Sequence, residues 1–125
     1  MKKQINQVRD FHQAFKSPVL ETPTIPDFSR VYLRQNLLVE EVNELGVASS
    51  KGDIVEVMDA IIDSMYVLIG TAHEFGLAHL LEDCFDEVHQ SNMSKLDKNG
   101  NPVFREDGKI LKGENYFRPD LKKIL

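Results

Sequence analysis

The sequence predicts an all-α fold: a four-helix bundle-type core with a small C-terminal hairpin and tail, completed by dimerisation. Apolar residues recur at helical spacing through most of the first 95 residues, and the connections between these segments are short. The turn dipeptides Asn-Gly and Asp-Gly occur only in the last thirty residues. With 125 residues, the chain is expected to form a single domain, 1–125.

The first predicted helix covers residues 3–16 and has one apolar face. The residues of this face are Ile5, Val8, Phe11 or His12, and Phe15. Three prolines then exclude a regular helix from about residue 17 to residue 27: Pro18, Pro23 and Pro26. We therefore expect a Pro-rich loop after the first helix.

Three further helices are predicted from Asp27 or Ser29, either of which can cap a helix N-terminus, to Lys95. The second runs to about Ser50, the third covers about 53–75, and the fourth runs from Leu77 or Ala78 to Lys95. The turn dipeptides Asn99-Gly100 and Asp107-Gly108 follow, and apolar pairs flank the second of them, which favours a marginal two-stranded hairpin. A short terminal helix is expected to open at 118–120.

Six carboxylates at helical spacing are the most informative chemical feature of the chain. They are Glu40, Glu41 and Glu44 in the second predicted helix, and Glu56, Asp59 and Asp63 in the third. Residues three or four apart project from one helix face, so two such helices can direct several oxygen ligands at one volume. One acidic segment alone is more typical of a solvated face. Two consecutive segments favour a Mg²⁺ or Mn²⁺ site, because these ions prefer oxygen ligands and leave room for phosphates.

The third predicted helix is apolar on nearly all sides. Asp59 and Asp63 lie opposite its main apolar stripe, yet small or apolar residues also flank these acids. We therefore expect a buried helix, and since four short helices hardly cover residues 54–69, we expect at least a homodimer. Glu56 has a second reading, because Asp53-Ile-Val-Glu56 after Gly52 is also a capping-box helix start.

The net charge of −5 argues against general nucleic-acid binding, which requires neutralisation of phosphates. Membrane insertion is not expected either, because acids interrupt the longest apolar stretch. The N-terminus lacks the apolar core of a signal peptide, so we expect a cytoplasmic protein. The single cysteine, Cys84, is expected to be a buried structural thiol.

From Leu33 to Leu45 the sequence reads LRQNLLVEEVNEL, and similar short motifs follow at 63–67, 87–95, 107–109 and 118–120. This ordered set, over residues 29–121, resembles the all-α nucleoside triphosphate (NTP) pyrophosphohydrolases of the MazG-like and phosphoribosyl-ATP pyrophosphohydrolase-like superfamily. It looks most similar to the branch with dUTP-preferring members. The resemblance implies a homodimer or homotetramer that cleaves an NTP between its α- and β-phosphates, releasing a nucleoside monophosphate and pyrophosphate.

The resemblance assigns Glu41, Glu44 and Asp63 as ligands of Mg²⁺ (or Mn²⁺). The family has a Glu where this chain has Ala60. Asp59, one turn from Asp63, is expected to replace that Glu, whereas Glu56-x-x-Asp59 fits the motif in a shifted register. The departure leaves a catalytically weak nucleotide- and metal-binding protein as an alternative, and phosphoribosyl-ATP pyrophosphohydrolase as another.

Glu40 is the candidate catalytic base. Its side chain points about 100° away from that of Glu41, so it can hold a water molecule while Glu41 and Glu44 hold metal. Asn92, Lys95 and Arg118 are the expected substrate-binding residues, since an amide suits a base edge or a sugar and cations suit phosphate. Arg34 is expected to pair with a carboxylate.

Overall fold

The structure is a computed structural model and describes residues 1–125. It confirms the all-α class: the chain forms four α-helices and two short 3₁₀ segments, without a β-strand. The α-helices are α1 (Lys2–Ala14), α2 (Phe28–Lys51), α3 (Ile54–Glu74) and α4 (Leu81–Met93), and the 3₁₀ segments are Ala78–Leu80 and Leu121–Lys123. The chain divides into two compact units, Met1–His79 and Leu80–Leu125. The expected single domain, 1–125, stays a prediction.

Helix α1 packs against α3 through one face. Ile5, Val8 and His12 are buried, whereas Phe11 and Phe15 are exposed, so His12 rather than Phe11 continues the buried face. His12 Nδ1 lies 3.0 Å from the carbonyl oxygen of Pro18, which is a sufficient polar partner for a buried imidazole. The ring therefore joins α1 to the start of the Pro-rich loop.

Helices α2 and α3 form a long antiparallel pair with defined ends. Asp27 caps α2 by accepting from the Arg30 N–H. At the other end of α2, Gly52 has a φ of 69°, a left-handed conformation that glycine adopts without a steric cost. Asp53 caps α3 by accepting from the N–H groups of Val55 and Glu56. Its own N–H donates to Ala48 O, so the reciprocal bond of a capping box is not formed.

The far end of the α2–α3 pair is joined through one buried carboxylate, that of Glu74. Arg30 donates two hydrogen bonds to the Glu74 carboxylate, at 2.9 and 2.6 Å, and Arg34 Nη1 lies 3.6 Å from the same group. Arg34 also donates to Val67 O and Thr71 Oγ1. Glu74 is 1% exposed, so its charge requires these partners. The expected pairing of Arg34 with a carboxylate is confirmed.

Helix α3 is more exposed than its apolar sequence predicts. It packs against α2 and α1, and Ala60, Ile69 and Ala72 are buried. Eight of its other large apolar side chains are 38–76% exposed: Ile54, Val55, Met58, Ile61, Ile62, Met65, Tyr66 and Leu68. The expectation of a buried helix is therefore not met within one chain, because two neighbouring helices cover only part of its surface. None of the helices combines the length and the hydropathy that crossing a bilayer requires.

The second unit consists of α4 and a tail that folds back on it. Glu87 of α4 accepts hydrogen bonds from the Asp120 N–H at 2.8 Å and from Lys123 Nζ at 2.7 Å, and these bonds lower the pKa of Glu87. The predicted hairpin is reduced to one antiparallel bridge, Phe104 with Ile110. Cys84 is half-buried rather than buried as expected, and its partial burial raises the pKa of its thiol.

Candidate functional site

Glu41 is the most strongly perturbed acid of the α2–α3 pair. Its Oε2 atom is buried and has no hydrogen-bond partner. Burial raises the pKa of Glu41, and the negative charges of Glu44, Asp63, Glu40 and Asp59 raise it further, in that order. The fold therefore brings one half-buried carboxylate within electrostatic reach of four others, which are exposed.

These five carboxylates include all the residues that the sequence analysis assigned to metal binding and catalysis. Glu40, Glu41 and Glu44 are held by two successive turns of α2, and Asp59 and Asp63 by successive turns of α3. As the side chains stand, no three His, Cys, Asp or Glu groups of the chain are close enough to hold one metal ion. The five therefore form a cluster of negative charges, and their side chains are not arranged as the ligands of one metal ion.

The chemistry of this cluster fits a hard divalent cation. A buried carboxylate oxygen without a donor is costly, and like charges beside it add to the cost. A cation would satisfy Glu41 Oε2 and offset the repulsion from the neighbouring acids. No lysine or arginine donates to Glu41 Oε2, and Lys51, the only such residue between Gln35 and Ser94, lies at the end of α2.

Glu56 occupies a different place from Asp59 and Asp63. Glu56 is not among the four acids that raise the pKa of Glu41 most, whereas both aspartates are. Glu56 lines a cavity of about 530 Å³ near the α2–α3 turn. The residues around this cavity are Asn43, Glu44, Val47, Ala48, Lys51, Asp53 and Glu56. Glu44 thus belongs both to the surroundings of Glu41 and to this cavity.

Ala60 stands where the resembling family has a Glu, and it is 2% exposed. Its position is buried in the first unit, where an alanine fits and a charged carboxylate would be desolvated. Asp59, the preceding residue, is exposed and acts on Glu41. In this part of α3, Ala60 therefore serves packing, and Asp59 supplies the acidic side chain.

The expected substrate-binding residues all lie in the second unit. Asn92 is in the last turn of α4, and its side-chain oxygen accepts from Lys95 Nζ at 2.7 Å. The tail reaches the same turn at Phe117, whose carbonyl accepts from Ser91 Oγ and whose N–H donates to Ser94 Oγ. Arg118 follows Phe117 and is exposed. The structure therefore places Asn92, Lys95 and Arg118 around one end of α4.

Two polar features of the first unit were missed by the sequence analysis. Lys51 lies between the second and third predicted helices, and its isolation among acids is visible in the sequence. The buried carboxylate of Glu74 had no sequence signal, because an acid at the end of an apolar helix resembles an exposed C-terminal residue.

The chain is similar to several known proteins. Residues 8–92 match the family model of phosphoribosyl-ATP pyrophosphohydrolase. The chain is 31% identical over 98 residues to an uncharacterised protein, L479, of Acanthamoeba polyphaga mimivirus. The match covers 76% of this chain and 35% of the viral protein, so the chain spans about a third of that relative.

A solved structure from Exiguobacterium sp. 255-15, provisionally assigned as an NTP pyrophosphohydrolase, is also similar. It has 26% sequence identity and a TM-score of 0.51, and the match covers 97% of this chain and 90% of the other. The matched family model spans α2 and α3 completely, and with them all five carboxylates around Glu41. The chain therefore belongs to the phosphoribosyl-ATP pyrophosphohydrolase family, within the MazG-like superfamily of all-α NTP pyrophosphohydrolases.

Proposed function

We propose that the protein is a Mg²⁺- or Mn²⁺-dependent NTP pyrophosphohydrolase that releases a nucleoside monophosphate and pyrophosphate. The observation that carries this proposal is the buried, unpartnered oxygen of Glu41 beside four further carboxylates. Family membership supports the same class of reaction. The preferred substrate is dUTP or another non-standard nucleotide.

In the proposed site, Glu41, Glu44, Asp59 and Asp63 hold the divalent cation. The cation, when bound, offsets the charge of the phosphate oxygens and makes the α-phosphorus more electrophilic. A divalent cation held by these residues would also position the triphosphate, and such positioning lowers the entropic part of the barrier.

Glu40 acts as the general base in this proposal. Its carboxylate accepts a proton from a water molecule as the water oxygen bonds to the α-phosphorus. The bond from the α-phosphorus to the bridging oxygen breaks, and its electron pair leaves with pyrophosphate. Glu40 is exposed and adjacent to Glu41, so water can reach it. The assignment of Asn92, Lys95 and Arg118 to nucleotide binding stays a prediction.

The proposed assembly is a homodimer or homotetramer. The exposed apolar side chains of α3 support it, since Val55 is 71%, Met58 59% and Leu68 52% exposed. An apolar surface of this extent is typical of a surface that a partner covers. A second copy of the chain would remove these side chains from water.

Hydrolysis in ¹⁸O-labelled water tests the proposal. The purified protein is incubated with Mg²⁺ and a panel of dUTP, UTP, dCTP, dTTP and phosphoribosyl-ATP, and the phosphate products are separated. We expect pyrophosphate from dUTP or a related nucleotide, with the label in the monophosphate because water attacks the α-phosphorus. Orthophosphate as the sole phosphate product, or label in pyrophosphate, would contradict the proposed bond cleavage.

Two alternatives give different results in the same experiment. A phosphoribosyl-ATP pyrophosphohydrolase, which the matched family model favours, would act on phosphoribosyl-ATP and leave the simple triphosphates intact. A weak binding protein, which Ala60 in place of the family Glu favours, would bind Mg²⁺ and nucleotide without product. Calorimetric titration with a non-hydrolysable triphosphate separates this binding protein from an inactive preparation.

A further inference from the structure

The cavity beside Glu44 contains one cation among acids. Lys51 lines it together with Glu44, Asp53 and Glu56, and no other lysine or arginine occurs between Gln35 and Ser94. A lysine in the last turn of a helix has an ordinary role, because it interacts favourably with the helix dipole. That role does not require a cavity of about 530 Å³ beside the ammonium group.

The acids of the cavity have unequal freedom to bind a ligand. One oxygen of Asp53 already accepts from the N–H groups of Val55 and Glu56, so this carboxylate caps α3. Glu44 is exposed, and its negative charge raises the pKa of Glu41. Lys51 lies two helical turns beyond Glu44 on α2, about 10 Å along the axis, and a lysine side chain can reach back across part of this distance.

We infer that this cavity receives the β- and γ-phosphates of the substrate, and afterwards the product pyrophosphate, with Lys51 donating hydrogen bonds to the terminal phosphate oxygens. The inference rests on the proposed function and assigns the leaving-group side of that site. A free polyphosphate anion would be repelled by Glu44 and Glu56, so the ligand is a polyphosphate that arrives with its divalent cation. Lys51 then offsets the part of the phosphate charge that the divalent cation leaves.

This arrangement also fixes the direction of the substrate. The terminal phosphates point toward the α2–α3 turn at Gly52, and the α-phosphate lies nearer to Glu40 and Glu41. Lys51 transfers no proton, since an ammonium group beside phosphate needs only to donate hydrogen bonds. Its effect therefore falls on pyrophosphate binding and on the charge of the leaving group.

Titration with magnesium pyrophosphate tests the inference without reference to turnover. Isothermal calorimetry is performed on the full chain and on Lys51→Gln, Lys51→Arg and Lys3→Gln, the last of which removes an exposed lysine of α1. We expect Lys51→Gln to weaken pyrophosphate binding by about 10-fold, the loss of one charge-assisted hydrogen bond. Lys51→Arg and Lys3→Gln should stay within about twofold of the wild type. Binding of the nucleoside monophosphate should be the same in all four proteins.

Equal pyrophosphate affinity in Lys51→Gln and the wild type would overturn the inference. So would a loss of pyrophosphate affinity in Lys3→Gln as large as that in Lys51→Gln. The same holds if Lys51→Gln loses monophosphate affinity as much as pyrophosphate affinity. Failure of the wild type to bind magnesium pyrophosphate would also overturn it, while hydrolysis of dUTP at the α-phosphorus would leave the proposed function intact. Conversely, pyrophosphate binding that depends on Lys51 can be observed even if no nucleotide is hydrolysed.

A labelling experiment on the wild-type protein gives a second test that does not depend on a variant. Lys51 is exposed, so acetic anhydride should acetylate its amine, and peptide mass spectrometry measures the extent. Magnesium pyrophosphate should protect Lys51 at least about fivefold and leave Lys3 unprotected. Protection of both lysines, or of neither, would contradict the assignment.

Discussion

Asp63 of α3 acts on Glu41 of α2 across the helix pair, and its charge helps to raise the pKa of the Glu41 carboxylate. Asp59 has the same effect, whereas Glu56 is not among the four acids that raise this pKa most. This relationship favours Asp59 and Asp63 over the shifted pair Glu56 and Asp59 as partners of Glu41. It also leads to the first prediction.

Asp63→Asn should lower Mn²⁺ affinity far more than Glu56→Gln. Loss of a residue that only supports a metal ligand typically lowers metal affinity by about 10- to 100-fold. We expect at least this loss for Asp63→Asn, which removes a proposed ligand, and a loss of less than about twofold for Glu56→Gln. Electron paramagnetic resonance of free Mn²⁺ measures both. If Glu56→Gln abolishes binding and Asp63→Asn does not, the shifted register is correct.

Glu40→Gln should separate catalysis from metal binding. A glutamine keeps the size of the side chain but cannot accept the proton of water, so kcat should fall by about 10² to 10⁴. The metal affinity of Glu40→Gln should be nearly unchanged. The matched comparison is Glu41→Gln, which removes a proposed ligand and should weaken metal binding. A Glu40→Gln protein with normal kcat would assign water activation to the metal ion alone.

Gly46→Ala and Gly70→Ala should change stability in opposite directions. A methyl group at Gly46 meets nothing within 4 Å, so alanine should stabilise α2 by about 0.5–1 kcal/mol. At Gly70 it would lie 2.6 Å from Arg34 Nη2 and 2.7 Å from Nε2 of the buried His12. The resulting overpacking should destabilise the protein by about 1–3 kcal/mol. Urea denaturation measures both, and an equal gain at both positions would refute the close packing.

Stability should decrease as the pH falls below about 6.5, because of His73. Burial lowers the pKa of this imidazole from its ordinary value of 6.5, with a smaller contribution from the charges of Arg9 and His12. Its Nε2 bonds to Ile5 O at 2.9 Å, and its buried Nδ1 has no partner for a second proton. The unfolded chain therefore binds the proton more readily, which costs up to about 1.4 kcal/mol per pH unit until the folded-state pKa is reached.

Replacement of His73 by glutamine should flatten this part of the pH profile, because the amide keeps the bond to Ile5 and does not titrate. His79→Gln, at an exposed histidine, is the control and should keep the slope. Thermal unfolding between pH 5 and pH 7.5 measures all three proteins. An unchanged slope in His73→Gln would assign the pH dependence to another group.

The oligomeric state should depend on the apolar surface of α3. Multi-angle light scattering at micromolar concentration should show a dimer or tetramer. Met58→Glu, at a side chain that is 59% exposed, should shift it toward monomer by placing charge in an apolar interface. Lys3→Glu is a control for a change of charge elsewhere. A monomeric wild-type protein would contradict the proposed assembly.

The helices of this fold could be predicted because their signals are local. Asp27, Gly52 and Asp53 each act within a few residues of themselves, and the apolar period identifies the segments. The choice between Phe11 and His12 could not be made, because it depends on a carbonyl group of the following loop. The exposure of α3 was also hidden, since periodicity shows that a face is apolar but not whether the same chain covers it.

The candidate site shows the same division. Helical spacing was sufficient to place Glu41 and Glu44 on one side of α2, and Asp59 with Asp63 on one side of α3. The unequal burial within this set depends on how the two helices pack, and a sequence pattern does not contain that information. Ala60 illustrates the limit, because its 2% exposure distinguishes it from the neighbouring Asp59 only in three dimensions.

The two ends of the α2–α3 pair differ in how strongly they are joined. At one end, Arg30 and Arg34 form ion pairs with Glu74. Opening the helices at that end would leave a buried carboxylate without its cations, which is strongly unfavourable. Toward Gly52 the pair instead borders a cavity whose charged side chains form no ion pair with one another. The proposed metal ligands lie between the two ends. A rearrangement that gathered these carboxylates around a cation would therefore break no ion pair near the cavity, while the ion pairs of Glu74 join the helices at the other end.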